Sequence, residues 1–365
     1  MENFVNAVIL GSGPSGLSMG HQLQKRGISF LILEKEKRPF GAIQKLDGAM
    51  RMVSPKSFSL FPGMGAGEDN RKYLFMKEYR KLLENYKNKF NINVLCAVDD
   101  LNVKHTPSEK YEFTISYVDN GIVKKIRTQF IINATGIISF MKFPKCYTKM
   151  EHTYQALHSR DTRLKHIKRA KKILVVGGGV SAGEILEDCL QESSSESEIV
   201  LSINKKLKTM RQKYFGIDFH YFIRPLEKIS PALLLTTNWM KNFHVPMISA
   251  IVSGAVKKGI ISLKQETKEY AKNYVVFKNG EKYEPDLVIF ATGYRYETKH
   301  LDGVFMGKDR NEDTVIKCES SSVPGLFFLG YKYGRTLASP FLRGICEDSG
   351  YVATEIAARI FRFGK

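Results

Sequence analysis

Two segments of this 365-residue chain share a pattern that strongly limits its fold: an apolar strand, a glycine-rich turn and a helix. The first strand covers residues 5–10 (VNAVIL) and the second covers residues 173–176 (ILVV). In such units, glycines allow a tight turn and the close approach of a pyrophosphate, and the start of the helix offers free N–H groups to phosphate oxygens. The sequence therefore predicts an α/β protein with two Rossmann-like dinucleotide-binding domains.

The first unit ends in a carboxylate. Its strand runs into residues 11–16 (GSGPSG), a helical pattern continues to Arg26, and a second strand at residues 30–33 is followed by Glu34. A carboxylate at this distance from the glycines can accept both ribose hydroxyls of an adenosine. This arrangement suits FAD. The predicted FAD contacts are Gly11, Ser12, Gly13, Pro14, Ser15, Gly16, Glu34 and Lys35.

The second unit ends in cations instead. Its strand enters residues 177–182 (GGGVSA), and the next strand covers residues 199–203. The end of that strand and the residues after it supply Ser202, Asn204, Lys205, Lys206, Lys208 and Arg211. Cations and a hydroxyl bind a 2′-phosphate that a carboxylate would repel, which favours NADPH over NADH; a solvated basic loop is the alternative. The predicted contacts are Gly177, Gly179, Val180, Ser181, Ala182, Asn204, Lys205, Lys206 and Arg211.

Two further strands end in Ala-Thr-Gly, at residues 130–136 (FIINATG) and 287–294 (LVIFATGY). A glycine after a buried strand lets the backbone pass close to a dinucleotide or to the next domain. We therefore expect an FAD domain at 1–150 and 291–365, interrupted by an NADPH domain at 151–290 with an apolar insert at about 214–262. Another strand at 325–330 and a helix at 341–361 close the FAD domain. The cofactor contacts predicted from these closing segments are Thr135, Gly136, Thr292, Gly293, Gly330 and Leu342.

The chain resembles the flavin-containing monooxygenase superfamily, and within it the plant auxin-synthesising flavin monooxygenases and their bacterial relatives. Residues 48–63, 214–258 and 291–294 are similar to the post-flavin loop, the apolar insert and the ATGY element of that group. The resemblance implies FAD, NADPH and O2, with oxygen activated as a flavin C4a-hydroperoxide and one oxygen atom inserted into a small organic substrate. Of the family's Phe-Gly-His fingerprint, only His158, followed by Ser159, is retained.

Two other functions remain open from the sequence. One is an NADPH-dependent flavin reductase of a small disulfide, a quinone or a protein electron acceptor; the other is a non-catalytic FAD/NADPH redox sensor. The five cysteines form no C-x-x-C pair, which excludes a thioredoxin-reductase type of dithiol centre. The eight histidines form no H-x-x-x-H pair, so no metal site is predicted. Since the cofactor carries the redox chemistry, no catalytic side chain is assigned.

The formal charge of +19 raises the question of an anionic partner. The lysines are spread along the chain and no nucleic-acid motif occurs, so specific nucleic-acid binding is not expected. The most apolar stretch, residues 247–256, is only ten residues long, too short to span a membrane. It is expected to pack as a helical lid on its own domain, although weak peripheral contact with an acidic membrane stays open. Cysteine usage suits the cytoplasm, and the oligomeric state is unreadable.

Several single residues have alternative interpretations. His158 is either a contact of the interdomain linker or an exposed histidine. Arg51 and Lys56 either position an anion or are solvated cations. Cys146 and Cys189 are expected to be packing or bystander residues. A set of aromatic side chains in the insert is expected to form a small satellite core rather than a substrate pocket: Tyr214, Phe215, Phe219, Tyr221 and Phe222.

Overall fold

The computed structural model describes residues 3–363 apart from 66, 68, 107–111, 139, 231–245, 297, 303, 306–314 and 333. In chain order the strands are β1 (Asn3–Leu10), β2 (Phe30–Leu33), β3 (Asp99–Thr106), β4 (Glu112–Asp119), β5 (Ile122–Asn133), β6 (Gln155–His158), β7 (Lys172–Val176), β8 (Glu198–Ser202), β9 (Thr209–Met210), β10 (Lys213–Tyr214), β11 (Ile217–Asp218), β12 (Met247–Ile248), β13 (Ile261–Lys264), β14 (Thr267–Tyr270), β15 (Val275–Phe277), β16 (Lys282–Tyr283), β17 (Leu287–Phe290), β18 (Val315–Ile316), β19 (Glu319–Ser320) and β20 (Leu326–Phe328). The helices are α1 (Pro14–Gln24), α2 (Met76–Lys89), α3 (Leu164–Arg169), α4 (Val180–Glu192), α5 (Phe219–Ile223), α6 (Ala250–Lys257) and α7 (Leu342–Phe363).

The first sheet has the strand order β18-β19-β20-β5-β1-β2, and β4 joins β3 to β5. Strands β20, β5, β1 and β2 run parallel, with Ala7 opposite both Phe30 and Phe130. Central parallel strands are covered on both faces, and this is why β1 reads as an unbroken apolar run from Ala7 to Leu10. Helices α1, α2 and α7 pack in the core on one face. The antiparallel strands β3 and β4 contribute to the core on the other.

The second sheet is fully parallel, in the order β13-β8-β7-β17-β6. Its strands β7, β8 and β17 are likewise buried on both faces, between helices α3, α4 and α6 on one side and the antiparallel sheet β14-β15-β16 on the other. The prediction of two Rossmann-like units in an α/β fold is confirmed. The strands of the first sheet lie at residues 3–133 and 315–328 and those of the second at 155–290, on either side of the domain boundaries predicted near 150 and 290.

The chain passes between the two units beside the Ala-Thr-Gly segments. Residue Met141 forms an antiparallel bridge with Tyr294, and the Lys142 N–H donates to the Gly293 carbonyl at 3.0 Å. The two crossings therefore lie against each other, so the two segments that link the units are hydrogen-bonded neighbours rather than independent linkers.

The insert behaves differently in its two parts. The stretch at 247–256 forms β12 and α6, and Met247, Val252 and Ala255 are buried in the core of the second unit, which confirms the expected packing on its own domain. The expected satellite core is wrong for Tyr214, Phe215 and Phe222, which are exposed, although Phe219 is buried. The apolar residues 231–239 fall outside the described part. No described helix has the length and apolar character to cross a membrane.

Candidate cofactor sites

The first glycine loop is shaped as a cradle. At Gly11, φ is +99° and a Cβ would lie 2.7 Å from the Ala134 carbonyl oxygen. At Gly16, a Cβ would lie 1.9 Å from the Gly11 carbonyl oxygen, so only glycine lets helix α1 pack this closely against the turn. At Gly13, no described atom lies within 4 Å of where a Cβ would stand. The middle glycine therefore leaves open space at the start of α1, where a pyrophosphate would be received.

The carboxylate of Glu34 is buried beside this loop. Its Oε2 accepts the Ser12 N–H at 2.9 Å and the Ser12 hydroxyl at 2.5 Å, and its Oε1 accepts the Glu36 N–H at 2.9 Å. The Ser12 hydroxyl oxygen in turn accepts the N–H of Phe40. Since a carboxylate offers about four acceptor sites, Glu34 is held rigidly with capacity left for a ribose hydroxyl. Its neighbour Lys35 is exposed.

The second loop repeats this shape. At Gly177, φ is +126° and a Cβ would lie 2.3 Å from the Ala291 carbonyl oxygen, whereas the surroundings of Gly179 are open. Residue Ala182 is fully buried against the strand below it, while Val180 and Ser181 form the partly exposed first turn of α4. Each Ala-Thr-Gly alanine therefore packs under the first glycine of its own loop, a role that the sequence alone did not identify.

Equivalent hydrogen bonds align the ribose positions of the two units. The Gly11 N–H donates to the Leu33 carbonyl at 2.8 Å, and the Gly177 N–H donates to the Ser202 carbonyl at 2.9 Å. The residue after Ser202 is Ile203, which thus takes the position that Glu34 holds in the first unit. Its Cγ2 lies 3.3 Å from where a Cβ on Gly178 would stand. An apolar residue therefore replaces the acid at the second site.

The polar residues after β8 differ in availability. The Ser202 hydroxyl is buried and donates to the Gln265 carbonyl at 2.8 Å, so the expectation that it serves a 2′-phosphate is wrong. Residues Asn204, Lys205 and Lys206 follow directly and are exposed, as is Arg211 after β9. None of these three cations forms an ion pair within the described residues. They are therefore free to meet an anion beside the loop.

The predicted contact residues of the two Ala-Thr-Gly segments lie where the chain crosses between the units. The Thr135 hydroxyl donates to Asn133 at 2.9 Å, and Gly136 has a φ of +70°. On the other side, the Thr292 hydroxyl donates to the Lys142 carbonyl, and the Gly293 carbonyl accepts the Lys142 N–H. These four predicted contact residues lie at the crossing between the units, next to the first glycine of each loop.

His158 is part of this crossing. It is buried, and its Nε2 donates to the Gly293 carbonyl at 3.1 Å while its ring packs edge-on against Tyr294. Burial lowers the pKa of His158, so the ring is neutral at pH 7. The interpretation as an exposed histidine is wrong; His158 joins the end of β6 to the returning strand.

The closing segments lie against the first loop. At Gly330, a Cβ would lie 3.0 Å from the Ser15 hydroxyl oxygen, and the hydroxyls of Ser18 on α1 and Ser349 on α7 are 2.7 Å apart. Helix α7 begins at Leu342 and packs along α1. The predicted contacts Gly330 and Leu342 therefore lie on elements that pack against α1, the helix that follows the first glycine loop.

A hydrogen-bonded cluster centred on Asp218 joins the insert to the first unit, and the sequence did not reveal it. The buried Asp218 carboxylate accepts hydrogen bonds from Tyr73, from Gln212 at 2.5 Å and from the His220 N–H at 2.9 Å. Burial opposes its ionisation, but the hydrogen bonds from His220, Tyr73 and Gln212 outweigh it and lower the pKa of Asp218 to about 2. Gln212 also donates to the Val53 carbonyl at 2.8 Å. The available sequence signal was an Asp directly before a short helix, a typical N-cap.

The two cations of the loop at residues 48–63 differ in exposure, since Arg51 is exposed and Lys56 is partly buried. The Arg51 guanidinium stacks 4.4 Å above the centre of the Tyr73 ring, next to the Asp218 cluster. Lys56 is partly buried in a 3-10 turn at Lys56–Phe58. The hydroxyls of Ser57 in this loop and Tyr221 in the insert are 2.9 Å apart, so the loop is hydrogen-bonded to the insert.

Carboxyl groups on α4 form a second feature that the sequence did not reveal. Burial, and then the charges of Asp188 and Glu187, raise the pKa of Glu184 to about 8. Burial, and then the charge of Asp47, raise the pKa of Asp188 to about 6. Glu184 is also close enough to Tyr294 to raise the pKa of that phenol, after burial. This side of α4 therefore faces the crossing between the two units.

All five cysteines are free thiols. Burial raises the pKa of every one, including the partly exposed Cys96 and the exposed Cys146. Cys189 is fully buried in the core of the second unit, as expected for a packing residue. Among the described residues, no group of three or more His, Cys, Asp or Glu side chains is arranged to hold a metal ion.

Comparisons with known proteins agree with this geometry. A family model described as pyridine nucleotide-disulphide oxidoreductase matches residues 8–330. An uncharacterized oxidoreductase CzcO-like of Geobacillus kaustophilus is 23% identical, covering 98% of this chain and 99% of its own. The probable indole-3-pyruvate monooxygenase YUCCA1 of Arabidopsis thaliana is 25% identical, covering 96% of this chain and 89% of its own.

Solved structures share the fold. A flavin-containing monooxygenase from Stenotrophomonas maltophilia has a TM-score of 0.75 at 20% identity, covering 98% of this chain and 99% of that one. The bacillithiol disulfide reductase Bdr from Bacillus cereus has a TM-score of 0.72 at 17% identity, covering 98% and 100%. One architecture therefore serves both oxygen transfer and disulfide reduction, and the residues of each site must distinguish them.

Proposed function

The chain belongs to the pyridine nucleotide-disulphide oxidoreductase family, in the flavin-containing monooxygenase superfamily that its motifs resemble, and on this basis we propose that it is an FAD- and NADPH-dependent monooxygenase. In the proposed overall reaction, NADPH, a proton, O2 and an organic substrate give NADP+, water and the oxygenated substrate. Two electrons from NADPH and two from the substrate reduce O2, one oxygen atom of which enters the product.

The contrast between the two ribose positions carries the proposal. Both loops offer an open middle glycine at the start of a helix, but Glu34 stands beside the first and Ile203 beside the second. The buried acid suits the ribose hydroxyls of FAD. The apolar residue, followed by the exposed Lys205 and Lys206, leaves room and charge for a 2′-phosphate. One chain with one site of each kind is suited to pass reducing equivalents from NADPH to a flavin.

The side chains near the sites position and shield the cofactors. The start of α1 at Gly13 and the start of α4 at Gly179 would hold the two pyrophosphates through backbone N–H groups. When bound, FAD would supply the redox and oxygen chemistry. The chain's own contribution is to orient the two cofactors across the crossing held by Gly293 and His158, and to exclude water there.

Oxygen transfer is favoured over thiol-based disulfide reduction by the state of the cysteines. Disulfide exchange requires a thiolate. Burial raises the pKa of all five thiols, and all five are free rather than joined in a disulfide. A reductase without a reactive protein thiol would have to reduce its acceptor directly.

The substrate class to test first is a small 2-oxo acid, because the YUCCA relatives are named probable indole-3-pyruvate monooxygenases. With such a substrate, oxygen transfer to the keto carbon would release the carboxyl group as CO2, and the labelled product would be the acid that is one carbon shorter. Soft nucleophiles such as thioethers and amines are the second class. The purified protein is first examined for bound oxidised flavin. It is then reduced anaerobically with NADPH or NADH, exposed to 18O-labelled O2 with each substrate, and assayed for labelled product and peroxide.

Each outcome decides the assignment. One labelled oxygen atom in the product, with little peroxide, supports the monooxygenase. Stoichiometric peroxide with every substrate, together with NADPH-driven reduction of a disulfide or quinone, would instead identify a reductase. Bound cofactor without NADPH turnover on any acceptor would identify a redox sensor. The Gly13→Ala variant, which is expected to fold without flavin, is the flavin-free control for these assays.

A further inference from the structure

A short hairpin in the insert holds an aromatic side chain out into solvent. Strands β10 and β11 pair Tyr214 with Ile217, and the two residues between them form the turn. Phe215 is 99% exposed at the tip, and Tyr214 and Ile217 beneath it are also exposed. Three large apolar side chains within four consecutive residues thus face water on one small projection.

The turn conformation is unfavourable for a phenylalanine. Both central residues have positive φ, +50° at Phe215 and +77° at Gly216, as in a type I′ turn. The hairpin between β4 and β5 has the same φ values at Asn120 and Gly121, which is the preferred sequence for this turn. A bulky side chain with positive φ is uncommon, and such strain occurs most often at functional positions. Folding therefore gives no reason for an aromatic residue at 215.

The base of the hairpin is fixed although its tip is free. Asp218, the last residue of β11, accepts hydrogen bonds from Tyr73, Gln212 and His220. Because the hydrogen bonds of this buried cluster tie the hairpin to the first unit, Phe215 is presented on a rigid support rather than on a loose loop.

The surroundings of the hairpin carry positive charge without compensation. Residues 204–228 contain seven cations, all exposed, and two acids, both buried. Asp218 is occupied in its cluster, and Glu227 is paired with Arg343. The cations are Lys205, Lys206, Lys208, Arg211, Lys213, Arg224 and Lys228. Phe222 and Leu226 add exposed apolar surface after the hairpin.

Exposed aromatic and aliphatic side chains surrounded by cations match the interface of an anionic lipid bilayer. A second copy of this chain is a poorer partner, because a symmetric contact would bring the same cations together in a protein of charge +19. We infer that the tip formed by Tyr214, Phe215 and Ile217 docks on an anionic membrane surface. Phe215 enters the headgroup region, and Lys213, Arg224 and Lys228, which are not assigned to the nucleotide site, bind lipid phosphates.

The experiment measures sedimentation of the full-length protein with vesicles of phosphatidylcholine that contain about 30 mol% phosphatidylglycerol, and with pure phosphatidylcholine vesicles. The protein is expected to bind the anionic vesicles and to be released at high salt. Phe215→Asn gives this hairpin the Asn-Gly turn sequence found at residues 120–121, so the variant should melt at the same temperature as the wild type or at a higher one. Its affinity for the anionic vesicles should nevertheless fall by at least about tenfold.

Matched variants locate the effect. Phe361→Asn removes another exposed phenylalanine, at the far end of α7, and should bind as the wild type does. Lys213→Glu with Lys228→Glu should weaken binding by at least about fivefold for each cation removed. Lys268→Glu with Lys278→Glu, exposed cations of the antiparallel sheet, should change it much less.

Three results would overturn the inference. The first is no binding to the anionic vesicles, and the second is unchanged binding by Phe215→Asn. The third is a dimer in solution that Phe215→Asn dissociates, without vesicle binding, since the tip would then be an interface between two copies. NADPH oxidation by Phe215→Asn in the absence of vesicles should equal that of the wild type, so the proposed enzymatic function is tested separately.

Discussion

Placing an acid at residue 203 should convert the second nucleotide site from NADPH to NADH. The equivalent hydrogen bonds of Gly11 and Gly177 put Ile203 where Glu34 lies in the first unit. The Glu34 carboxylate lies 2.9 Å from the Ser12 N–H, so a carboxylate at 203 should reach the Gly178 N–H in the same way. Ile203→Glu would then bring a negative charge beside the loop at which the 2′-phosphate is proposed to bind.

The size of the effect follows from electrostatics. Two unit charges about 4 Å apart at an effective dielectric constant of about 20 interact by about 4 kcal/mol. Salt and the neighbouring Lys205 and Lys206 reduce this repulsion to about 2–3 kcal/mol. NADH has no 2′-phosphate and gains an acceptor for its hydroxyls, worth about 1 kcal/mol. The ratio of kcat/KM for NADPH to that for NADH should therefore fall by about 10²–10³.

The assay is anaerobic reduction of the bound flavin by each nucleotide, with equilibrium binding of NADP+ and NAD+ as a second measurement. Ile203→Gln is the control, since it has a similar size and no charge, and it should alter both nucleotides equally and modestly. An equal loss for NADPH and NADH in Ile203→Glu would refute the reasoning. The reasoning would also be refuted if Ile203→Gln showed the same NADPH-to-NADH ratio of kcat/KM as Ile203→Glu, since the change would then not depend on charge.

Four further changes test separate parts of the structure. Lys205→Ala with Lys206→Ala should raise the apparent KM for NADPH about tenfold or more and leave that for NADH nearly unchanged; equal effects would contradict a role at the 2′-phosphate. Gly13→Ala should purify without flavin and melt at the temperature of the flavin-stripped wild type, because the space around Gly13 is open and only the stabilisation by bound flavin is lost; retained flavin would show that the loop does not receive the pyrophosphate. Asp218→Asn should lower the free energy of unfolding by about 1–2 kcal/mol at pH 7. Because the folded pKa of Asp218, about 2, lies below its unfolded value, the wild type should be the more stable protein above about pH 4 and should lose this advantage as the pH falls towards 2. Denaturant titrations of both proteins at several pH values measure the difference. For Glu184→Gln the stability difference from the wild type should change with pH in the opposite direction, because a folded pKa of about 8 makes the wild type lose stability as the pH rises from about 4.5 through 8. The melting temperature of the variant should therefore exceed that of the wild type by an amount that grows over this range. A difference that stays constant with pH would exclude titration of Glu184.

The sequence was most reliable where local backbone chemistry and burial act together. The strand at residues 30–33 was predicted with the bounds that the structure has. Helices α1 and α4 follow the two glycine turns as predicted, but each begins inside its loop, at Pro14 and Val180, rather than after it. The predicted strand at 5–10 begins two residues earlier, at Asn3. Strand ends depend on neighbouring strands for their hydrogen bonds, and a single segment does not contain that information.

Side-chain availability was less predictable. Ser202 looked like a phosphate ligand in the sequence, but β13 and the residue after it approach closely enough for its hydroxyl to be used by Gln265. For His158 the sequence left open whether the side chain contacts the interdomain linker or is exposed, and the returning strand covers it. In both cases the residue that decides the outcome is more than sixty positions away in the chain, so local pattern could not supply it.

The sequence by itself determined that this chain has two dinucleotide-binding units, because glycine spacing, apolar strands and helix starts are local requirements of the backbone. It also determined that one unit ends in an acid and the other in cations. Only the tertiary structure decided that Ile203 stands where Glu34 does, that Asp218 joins the insert to the first unit, and that Phe215 is left in solvent. These depend on which distant segments pack together, and therefore on the balance of burial and hydrogen bonding over the whole molecule rather than on any one motif.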